Sequence, residues 1–466
     1  MQKIFEEVSS LDNRCYKEFF LSEDILMEHA AQGMASYIKQ NFSNKKKIVI
    51  VSGSGNNGAD GIALARLLHG EYDVSLLYAK ESSSPMAMLQ KQRAEALHVK
   101  QIESLHACDI LIDAIVGTGF CGEFSKELTE LLEEMNASRA FKIACDVPSG
   151  LTKSGECAKV TFRADTTLTM GALKKALFLD EAKEYVGDIH VLDLGISRKL
   201  YETETNWQLL DLHDLELPTR EQKNSHKGSF GHLSLLCGEK PGASIMSALA
   251  ALRFGAGLVT LVGYENHQML HLPHSLMYAH TLPSNTTAIA CGMGLGTEFS
   301  DDELKELFKN KLPLIVDADL FSMPIILEIL ERENIVLTPH PKEFVSLLQR
   351  TKLANITIEE LQKKRFYYVE LFCKAYPHVT LLLKGANVII GAGDKFFINP
   401  HGSAKLAKGG SGDVLSGLIG ALLAQKKSPL HAAIHASLAH TKLAQNYTGA
   451  DFSLTPQDLI EGIGNL

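Results

Sequence analysis

The stretch from Ala404 to Ala424 places three glycines and one acid directly before an apolar helix. Gly409, Gly410 and Gly412 have no Cβ, so their backbone can adopt positive φ and bring successive N–H groups close to an anion. Apolar residues recur at helical spacing after Asp413, so these N–H groups should lie at a helix N-terminus, which carries partial positive charge. The pattern predicts a phosphate site with a carboxylate base beside it. A glycine-rich turn capped by Asp413 is the structural alternative.

Lys384, at the end of an apolar strand pattern, completes the set that phosphoryl transfer requires: a cation for phosphate, backbone donors for developing charge and a carboxylate for a hydroxyl proton. No Walker-type Gly-Lys-Ser/Thr is present, so the chain is not a P-loop protein. The glycines of 292–296 follow another strand and indicate close backbone approach to a ligand, without a full dinucleotide fingerprint. His340, between two prolines, is either structural or part of the site.

Polar loops also follow three of the strand patterns in the first half of the chain. These loops contain Asn56, Asn57 and Asp60; Asp113 with Gly117, Thr118 and Gly119; and Asp146 with Ser149. Because the carboxyl ends of parallel strands meet at one crevice, these side chains should converge, although turns and helix caps are the structural alternative. Asn57, Asp113 and Ser149 offer only hard oxygen ligands, which suit a hard cation rather than zinc.

The elements that must position these residues form two series of alternating strands and helices. The first series has strand patterns at 48–51, 74–78, 109–116, 141–147, 166–170 and 189–194, with a helical pattern at 25–38. The second has strand patterns at 233–237, 258–262, 288–290, 314–316, 335–337 and 381–383. The alternation predicts two α/β domains, the first a doubly wound, largely parallel sheet. The hydrophobic periodicity of strands and helices is lost over 201–218. We therefore place the domain boundary there, between 1–210 and 211–466.

Composition excludes several classes of function. The chain has 466 residues and a formal charge of -9, which argues against nucleic acid as a partner. No apolar run is long enough to cross a bilayer, and the first residues lack the pattern of a signal peptide. Eight cysteines without a CxxC pair are typical of reduced core residues. We therefore expect a cytoplasmic protein without membrane or nucleic-acid partners. A homo-oligomer is a further expectation, which the composition does not determine.

Histidines provide two further patterns. His431 and His435 are four residues apart on a helical pattern, as zinc ligands can be, but no glutamate lies between them, and a helix-packing face is the favoured interpretation. A second group has no regular ligand spacing and is interpreted as surface or interface. It consists of His267, His271, His274 and His280.

The motifs taken together resemble one family over nearly the whole chain. The first half contains LMEHAAQGM, GNNGADG, DAIVGTG, DVPSG and TLTMGALK; the second contains HKGSFGH, GASIMSALAALRFGAGLVT, GMGLG, VDADL, LTPHPKE, LLLKGAN and KGGSGDVLSGLIGALL. This order resembles the bifunctional NAD(P)H-hydrate repair enzymes. The resemblance implies a Rossmann-like NAD(P)H-hydrate epimerase domain followed by an ADP-dependent (S)-NAD(P)H-hydrate dehydratase domain of ribokinase-like fold.

The resemblance implies roles for residues of the epimerase domain. Asp146 would be the acid/base that inverts the hydrated carbon, with Lys174 as a second candidate. Potassium would bind Asn57, Asp113 and Ser149. The residues that would hold the hydrated nucleotide are Asn56, Asn57, Gly58, Ala59, Asp60, Gly117, Thr118, Gly119, Phe120, Cys121, Gly122, Glu123 and Asp146. Ala59 stands where the family usually has glycine.

In the dehydratase domain the resemblance implies that Asp413 takes the hydroxyl proton of the hydrate as it attacks the terminal phosphoryl group of ADP, which would bind with Mg²⁺. ATP is the alternative nucleotide. The implied substrate contacts are Ala243, Gly294, His340 and Asp413. The implied nucleotide contacts are Lys384, Gly385, Ala386, Asn387, Val388 and Gly412, where Val388 replaces the family's threonine.

Two other functions stay open at this point. A small-molecule kinase of ribokinase-like fold, acting on a vitamin precursor such as a hydroxymethylpyrimidine, would use the same glycine loop and base. Alternatively, the first domain could be a binding module without catalysis. The cation set and Asp146 argue against the second of these alternatives.

Overall fold

A computed structural model describes residues 1–221, 223–263 and 272–466. These residues form two compact units, an N-terminal unit of Gln2–Thr205 and a C-terminal unit of Asn206–Leu466 together with Met1. The units divide a few residues before the predicted boundary at 210 because Trp207–Leu209 pairs with a strand of the C-terminal unit. Of the four grouped histidines, His274 and His280 are exposed, while His267 and His271 lie outside the described residues.

The N-terminal unit is built on a parallel sheet of seven strands in the order β4-β3-β2-β5-β6-β7-β9. A separate parallel pair joins β1 and β8. The strands are β1 (Gln2–Phe5), β2 (Lys47–Ser52), β3 (Asp73–Tyr78), β4 (Lys100–Ile102), β5 (Ile110–Ala114), β6 (Phe141–Cys145), β7 (Thr166–Met170), β8 (Leu173–Lys174) and β9 (Asp188–Leu192).

Helices cover both faces of this sheet. Successive residues of β2 point to opposite faces, so Ile48 and Ile50 enter one apolar core while Val49 and Val51 enter another. The helices are α1 (Ser9–Glu18), α2 (Glu23–Asn41), α3 (Asn56–Leu68), α4 (Pro85–Ala96), α5 (Lys126–Ala137), α6 (Lys183–Val186) and α7 (Arg198–Tyr201). The unit is a doubly wound α/β domain, as predicted.

The C-terminal unit has a sheet in the order β13-β12-β11-β14-β15-β16-β17-β18-β19-β10. Pairing is parallel except at β17-β18-β19, which form an antiparallel meander, and β10 then pairs parallel with β19. The strands are β10 (Trp207–Leu209), β11 (His232–Cys237), β12 (Leu258–Gly263), β13 (Met277–Ala279), β14 (Ala288–Cys291), β15 (Leu314–Val316), β16 (Ile335–Leu337), β17 (Val379–Leu383), β18 (Val388–Ala392) and β19 (Lys395–Asn399).

One buried helix organises this unit. The helices are α8 (Pro241–Arg253), α9 (Asp301–Leu307), α10 (Ile326–Ile329), α11 (Pro341–Arg350), α12 (Ile358–Lys363), α13 (Arg365–Ala375), α14 (Ser411–Ala424), α15 (Pro429–Asn446) and α16 (Pro456–Gly462). Helix α14 is buried from Val414 to its end. It approaches α8 so closely that a Cβ on Gly417 would lie 2.2 Å from the carbonyl oxygen of Ser247.

Short 3₁₀ turns complete the described chain. They span Lys175–Phe178, Leu212–Asp214, Lys227–Phe230, Ala318–Ser322, Ala404–Leu406, Asp451–Ser453 and Ile463–Asn465. All eight cysteines are free. Within the described ranges, no helix combines the length and apolar character that crossing a bilayer demands.

Candidate active sites

A cavity of about 700 Å³ opens where the loops after β2, β5 and β6 meet in the N-terminal unit. Parallel strands bring these loops to one edge, which is why residues predicted from separate motifs lie together. The predicted residues that line the cavity are Asn56, Asn57, Asp60, Gly117, Thr118, Gly119, Phe120, Cys121, Glu123 and Asp146. The convergence predicted from the three polar loops is therefore present in the molecule.

Three predicted contact residues do not line this cavity: Gly58, Ala59 and Gly122. A Cβ on Gly58 would lie 2.0 Å from the carbonyl oxygen of Gly53, so this glycine allows α3 to start tightly against the loop. Ala59 lies inside α3, and its fully buried side chain packs in a small apolar cluster that includes Met27. An alanine in place of glycine is therefore an ordinary helical residue here.

The oxygen set beside the cavity is centred on Asp113, which is fully buried. One of its carboxylate oxygens accepts hydrogen bonds from the Ser149 hydroxyl at 2.6 Å and the Ile115 N–H at 3.1 Å, and the other accepts from the Ser149 N–H at 2.7 Å. Burial raises the pKa of Asp113 to about 6. Both side-chain amide atoms of Asn57 are buried without a hydrogen-bond partner. The carbonyl oxygen of Val116 lies 3.1 Å from the Ser149 hydroxyl oxygen and is another hard oxygen ligand.

Asp146 follows β6 in the left-handed region, with φ of 70°, which is a strained backbone for a residue with a side chain. Its Oδ1 accepts hydrogen bonds from Lys174 Nζ at 2.5 Å and from the Met170 N–H at 3.0 Å. Lys174 is only 1% exposed, and its Nζ also donates to the Thr169 hydroxyl at 2.9 Å. The other oxygen, Oδ2, would lie 3.6 Å from a Cβ on Gly117, so it faces the cavity. The arrangement holds one carboxylate oxygen in place and leaves the other available.

Sequence reasoning missed a second acidic group in this cavity. Asp12 and Tyr201 both line it, and the Tyr201 hydroxyl donates to Asp12 Oδ1 at 2.7 Å. Burial raises the pKa of Asp12, and burial together with the charges of Asp146 and Asp12 raises the pKa of Asp60 well above its usual value. No local signal marks this pair because its members are 189 positions apart.

In the C-terminal unit the predicted glycine loop leads into α14 as expected. Gly410 caps the helix with φ of 91°, a conformation that favours glycine, and Asp413 lies in the first turn. The Ser247 hydroxyl fixes this turn by donating to the backbone oxygen of Asp413 at 2.7 Å. Burial, with smaller effects from the charges of Asp317 and Asp319, raises the pKa of Asp413 to about 6. A carboxyl with this pKa is suited to accept a proton near neutral pH.

Lys384 reaches this loop and is held by Asp317. Its Nζ lies 2.6 Å from Asp317 Oδ1, and the Ser416 hydroxyl donates to Asp317 Oδ2 at 2.6 Å. A Cβ on Gly412 would lie 3.3 Å from the same Nζ, so the absence of a side chain keeps the lysine beside the loop. The structure thus brings together Lys384, Gly412 and Asp413. The sequence patterns did not single out Asp317, although its place after β15 matches that of Lys384 after β17.

Gly294 and Ala243 are neighbours at the start of α8. Gly294 has φ of 63°, and a Cβ there would lie 2.4 Å from the carbonyl oxygen of Lys240 and 3.1 Å from the Cβ of Ala243. The Gly296 N–H donates to Asp319 Oδ2 at 2.9 Å, which ties the glycine loop to the end of β15. The close approach seen here is between segments of the chain, and the approach of a ligand to the 292–296 glycines stays a prediction.

His340 has a structural role in addition to its predicted place in the site. Its Nδ1 accepts from the Lys342 and Glu343 N–H groups and caps α11, while its Nε2 lies 3.1 Å from Glu343 Oε1. Burial lowers the pKa of His340, and the nearby charge of Lys384 lowers it further. Burial also raises the pKa of Glu343 to about 7. The cap places His340 within the electrostatic reach of Lys384.

The predicted nucleotide segment is divided by the turn between β17 and β18. Gly385 and Ala386 are exposed, whereas Asn387 is 2% exposed. Val388 starts β18 and packs in the main apolar core of the unit. A core position explains how valine can stand where the family has threonine: the side chain packs against apolar groups.

The chain combines an oxygen-lined cavity in a doubly wound domain with a glycine loop suited to phosphate binding in a second α/β domain. These features define a two-site α/β enzyme. Comparisons with known proteins identify its family. A family model described as NAD(P)H-hydrate dehydratase matches residues 233–465, and one described as YjeF-related protein N-terminus matches residues 23–176. The Bifunctional NAD(P)H-hydrate repair enzyme Nnr of Helicobacter pylori is 42% identical over 477 residues, with 100% of each chain covered.

Its counterpart of the same name in Escherichia coli is 32% identical over 437 residues, covering 89% of this chain and 83% of that one. A solved structure of ADP/ATP-dependent NAD(P)H-hydrate dehydratase from Bacillus subtilis, co-crystallized with ATP/Mg²⁺, is 30% identical with a TM-score of 0.47 and covers 53% of this chain and 92% of its own. The chain belongs to the family of bifunctional NAD(P)H-hydrate repair enzymes. The resemblance and the fold class predicted from the sequence are confirmed.

Proposed function

We propose that this chain interconverts the R and S hydrates of NADH and NADPH in its N-terminal unit and dehydrates the S hydrate in its C-terminal unit, at the expense of ADP. The observation that carries the proposal is the grouping of Asp413, Lys384 and Gly412 at the start of α14, in a chain that also holds the Asp146 cavity. Membership of the family of bifunctional NAD(P)H-hydrate repair enzymes supports the same assignment.

In the N-terminal unit, Asp146 moves the proton that inversion of the hydrated ring carbon requires. Its Oδ2 faces the cavity, while Lys174 and the Met170 N–H orient the carboxylate through Oδ1. Asn56, Asp60 and the 117–123 loop enclose the hydrated nucleotide. Lys174 is a positioning residue in this scheme, because its Nζ is buried behind Asp146.

The oxygen set beside this cavity fits a potassium ion. The unpartnered side-chain amide of Asn57, the buried Asp113 carboxylate and the Ser149 hydroxyl are hard donors, and a cation there would satisfy the Asn57 oxygen. When bound, the ion supplies positive charge beneath the loops that hold the phosphorylated substrate.

In the C-terminal unit, Asp413 accepts the hydroxyl proton of the S hydrate as that oxygen attacks the terminal phosphoryl group of ADP. The new P–O bond forms while the bond to the departing AMP breaks, with Lys384 and the N–H groups of the glycine loop stabilising phosphate charge. Phosphate then leaves with the electrons of its C–O bond, and loss of a proton from the adjacent ring carbon restores the dihydronicotinamide. Ala243, Gly294 and His340 border the hydrate.

Magnesium bound with the nucleotide would neutralise charge on its phosphate oxygens. The acidic groups around the loop fit this ion, because Asp317 and Asp319 supply the carboxylate oxygens that Mg²⁺ prefers. Both lie near Asp413, since their charges raise its pKa. ADP is the proposed phosphoryl donor, and ATP is the alternative. We further propose that the protein acts in the cytoplasm as a homo-oligomer, on small molecules rather than on nucleic acid or membranes.

The test uses the purified chain with mixed R and S NADH hydrate, Mg²⁺ and either ADP or ATP, and follows dihydronicotinamide absorbance to completion. The parent chain should convert both epimers. Asp413→Ala should lose dehydration by roughly 10²-fold or more while still interconverting the epimers, and Asp146→Ala should do the reverse. Equal loss of both activities in either variant would contradict the two-site assignment. A stable phosphorylated product without dihydronicotinamide would identify a small-molecule kinase instead.

A further inference from the structure

Outside the two proposed sites, Glu216, His431 and His435 lie together in the C-terminal unit. Each offers a nitrogen or oxygen atom within 4.8 Å of the others. Over the ranges that the structure describes, no other group of three histidine, cysteine or acidic side chains is this close. In the sequence no glutamate lies between the two histidines, which is why a helix-packing face was the favoured interpretation of the pair. Folding supplies the glutamate from 215 positions upstream.

The geometry of the group is that of ligands around one small ion. His431 and His435 lie on the same face of α15, and their ring centres are 4.0 Å apart. His431 Nε2 is 3.0 Å from Glu216 Oε2. Two ligand atoms that each lie about 2.0–2.2 Å from a zinc ion have a separation of this order.

The lone pairs that a metal requires are available. His431 Nδ1 is buried without a partner, so the proton between His431 and Glu216 can move to it and leave Nε2 for a metal. His435 Nδ1 accepts a hydrogen bond from the Glu216 N–H at 3.0 Å, so this nitrogen carries a lone pair, and a metal bound there would replace that hydrogen bond.

We propose that Glu216, His431 and His435 form a binding site for a divalent transition-metal ion of the zinc type. Two imidazole nitrogens and one carboxylate oxygen are a ligand set that zinc uses, with water in the fourth position, whereas Mg²⁺ and Ca²⁺ favour oxygen alone. The ion joins the segment after β10 to α15. It is a structural clamp, separate in chemistry from the phosphoryl-transfer site.

Equilibrium dialysis of the full, chelator-treated chain against ZnCl₂ tests the proposal, with Glu216→Gln and His431→Gln as variants. Both side chains are partly exposed, 70% and 24%, so the variants should fold. His213→Gln is the matched control, because His213 is an exposed imidazole of the same segment outside the group. Dehydration with ADP and Mg²⁺ checks that each variant retains its fold.

The parent chain and His213→Gln should each bind one zinc equivalent. Both ligand variants should lose this ion or bind it more than roughly 10-fold more weakly, because even the loss of a residue that only hydrogen-bonds to a ligand lowers metal affinity by about that factor. ZnCl₂ should also raise the unfolding temperature of the parent chain but not of the ligand variants, and excess MgCl₂ should not compete. Other histidines and the free cysteines also attract zinc, so the difference between variants is the measurement. Equal zinc binding by parent, Glu216→Gln and His431→Gln would overturn the proposal, and an equal loss in His213→Gln would overturn the ligand set.

Discussion

At the scale of single residues, the raised pKa of Asp413 has a cost in stability. The carboxyl binds its proton more tightly in the folded chain, with a pKa of about 6 against a usual 3.8, so folding disfavours the ionised form. The cost is complete above pH 6 and disappears below about pH 4. Asp413→Asn should therefore stabilise the C-terminal unit by about 1–3 kcal/mol at pH 8 and by nothing at pH 4, while it abolishes dehydration.

Urea unfolding followed by tryptophan fluorescence checks this prediction, because Trp207 is the one tryptophan of the sequence and is buried in the C-terminal unit. Asp394→Asn is the control, since Asp394 is exposed on the turn between β18 and β19. If Asp413→Asn has a lower free energy of unfolding than the parent chain at pH 8, the ionised carboxylate stabilises the fold and the prediction is wrong.

Asn57 gives a second prediction at this scale. If potassium satisfies its buried amide oxygen, KCl should raise the unfolding temperature of the N-terminal unit above the value in equimolar NaCl. Asn57→Ala should remove this difference. Asn56→Ala should retain it, because Asn56 is exposed and donates to Glu23 at 2.6 Å instead. Calorimetry of the full chain measures the effect, and an equal response of all three proteins to KCl would place the ion elsewhere.

At the scale of elements, the tight junction of β2, its loop and α3 depends on Gly58. The Cβ of Gly58→Ala would meet the Gly53 carbonyl at 2.0 Å, so α3 must move away from the loop. We expect a loss of about 1–3 kcal/mol or more and loss of epimerisation. Gly55→Ala is the control in the same loop, because no atom lies within 4 Å of its Cβ and its φ of -98° suits alanine. Hydrogen-exchange mass spectrometry should show faster exchange in β2 and α3 for Gly58→Ala alone.

Elements with a strong local period were predictable from the sequence, and those that depend on distant partners were not. The pattern at 166–170 is β7 itself, and the helix predicted at 25–38 lies within α2. The β18–β19 hairpin and the short strands β1 and β8 were not anticipated. Residues 2–5 form a strand that pairs with Leu173 and Lys174, a contact that no local pattern encodes.

At the scale of the whole molecule, the motifs predicted both proposed sites but not all of the groups around them. Glycine loops and strand ends pointed to Asp146 and Asp413 because parallel sheets collect such loops at one edge. The partners that tune these groups come from elsewhere in the chain: Asp317 reaches Lys384 across 67 positions, and Tyr201 reaches Asp12 across 189. Single-sequence patterns carry no record of such pairs, since each member is locally an ordinary cap or core residue.

Each proposed site draws its residues from one unit alone, which leads to a prediction for the pair of activities. With Asp146→Ala alone, conversion of a mixed hydrate should stop near the S fraction, because this variant dehydrates the S hydrate but does not interconvert the epimers. Addition of equimolar Asp413→Ala should restore conversion of the R fraction, since the released hydrate can diffuse from one protein to the other. Dihydronicotinamide absorbance with ADP and Mg²⁺ gives both end points. If the mixture also halts at the S fraction, the hydrate must pass between sites of the same molecule, and the two units act as one catalyst rather than two.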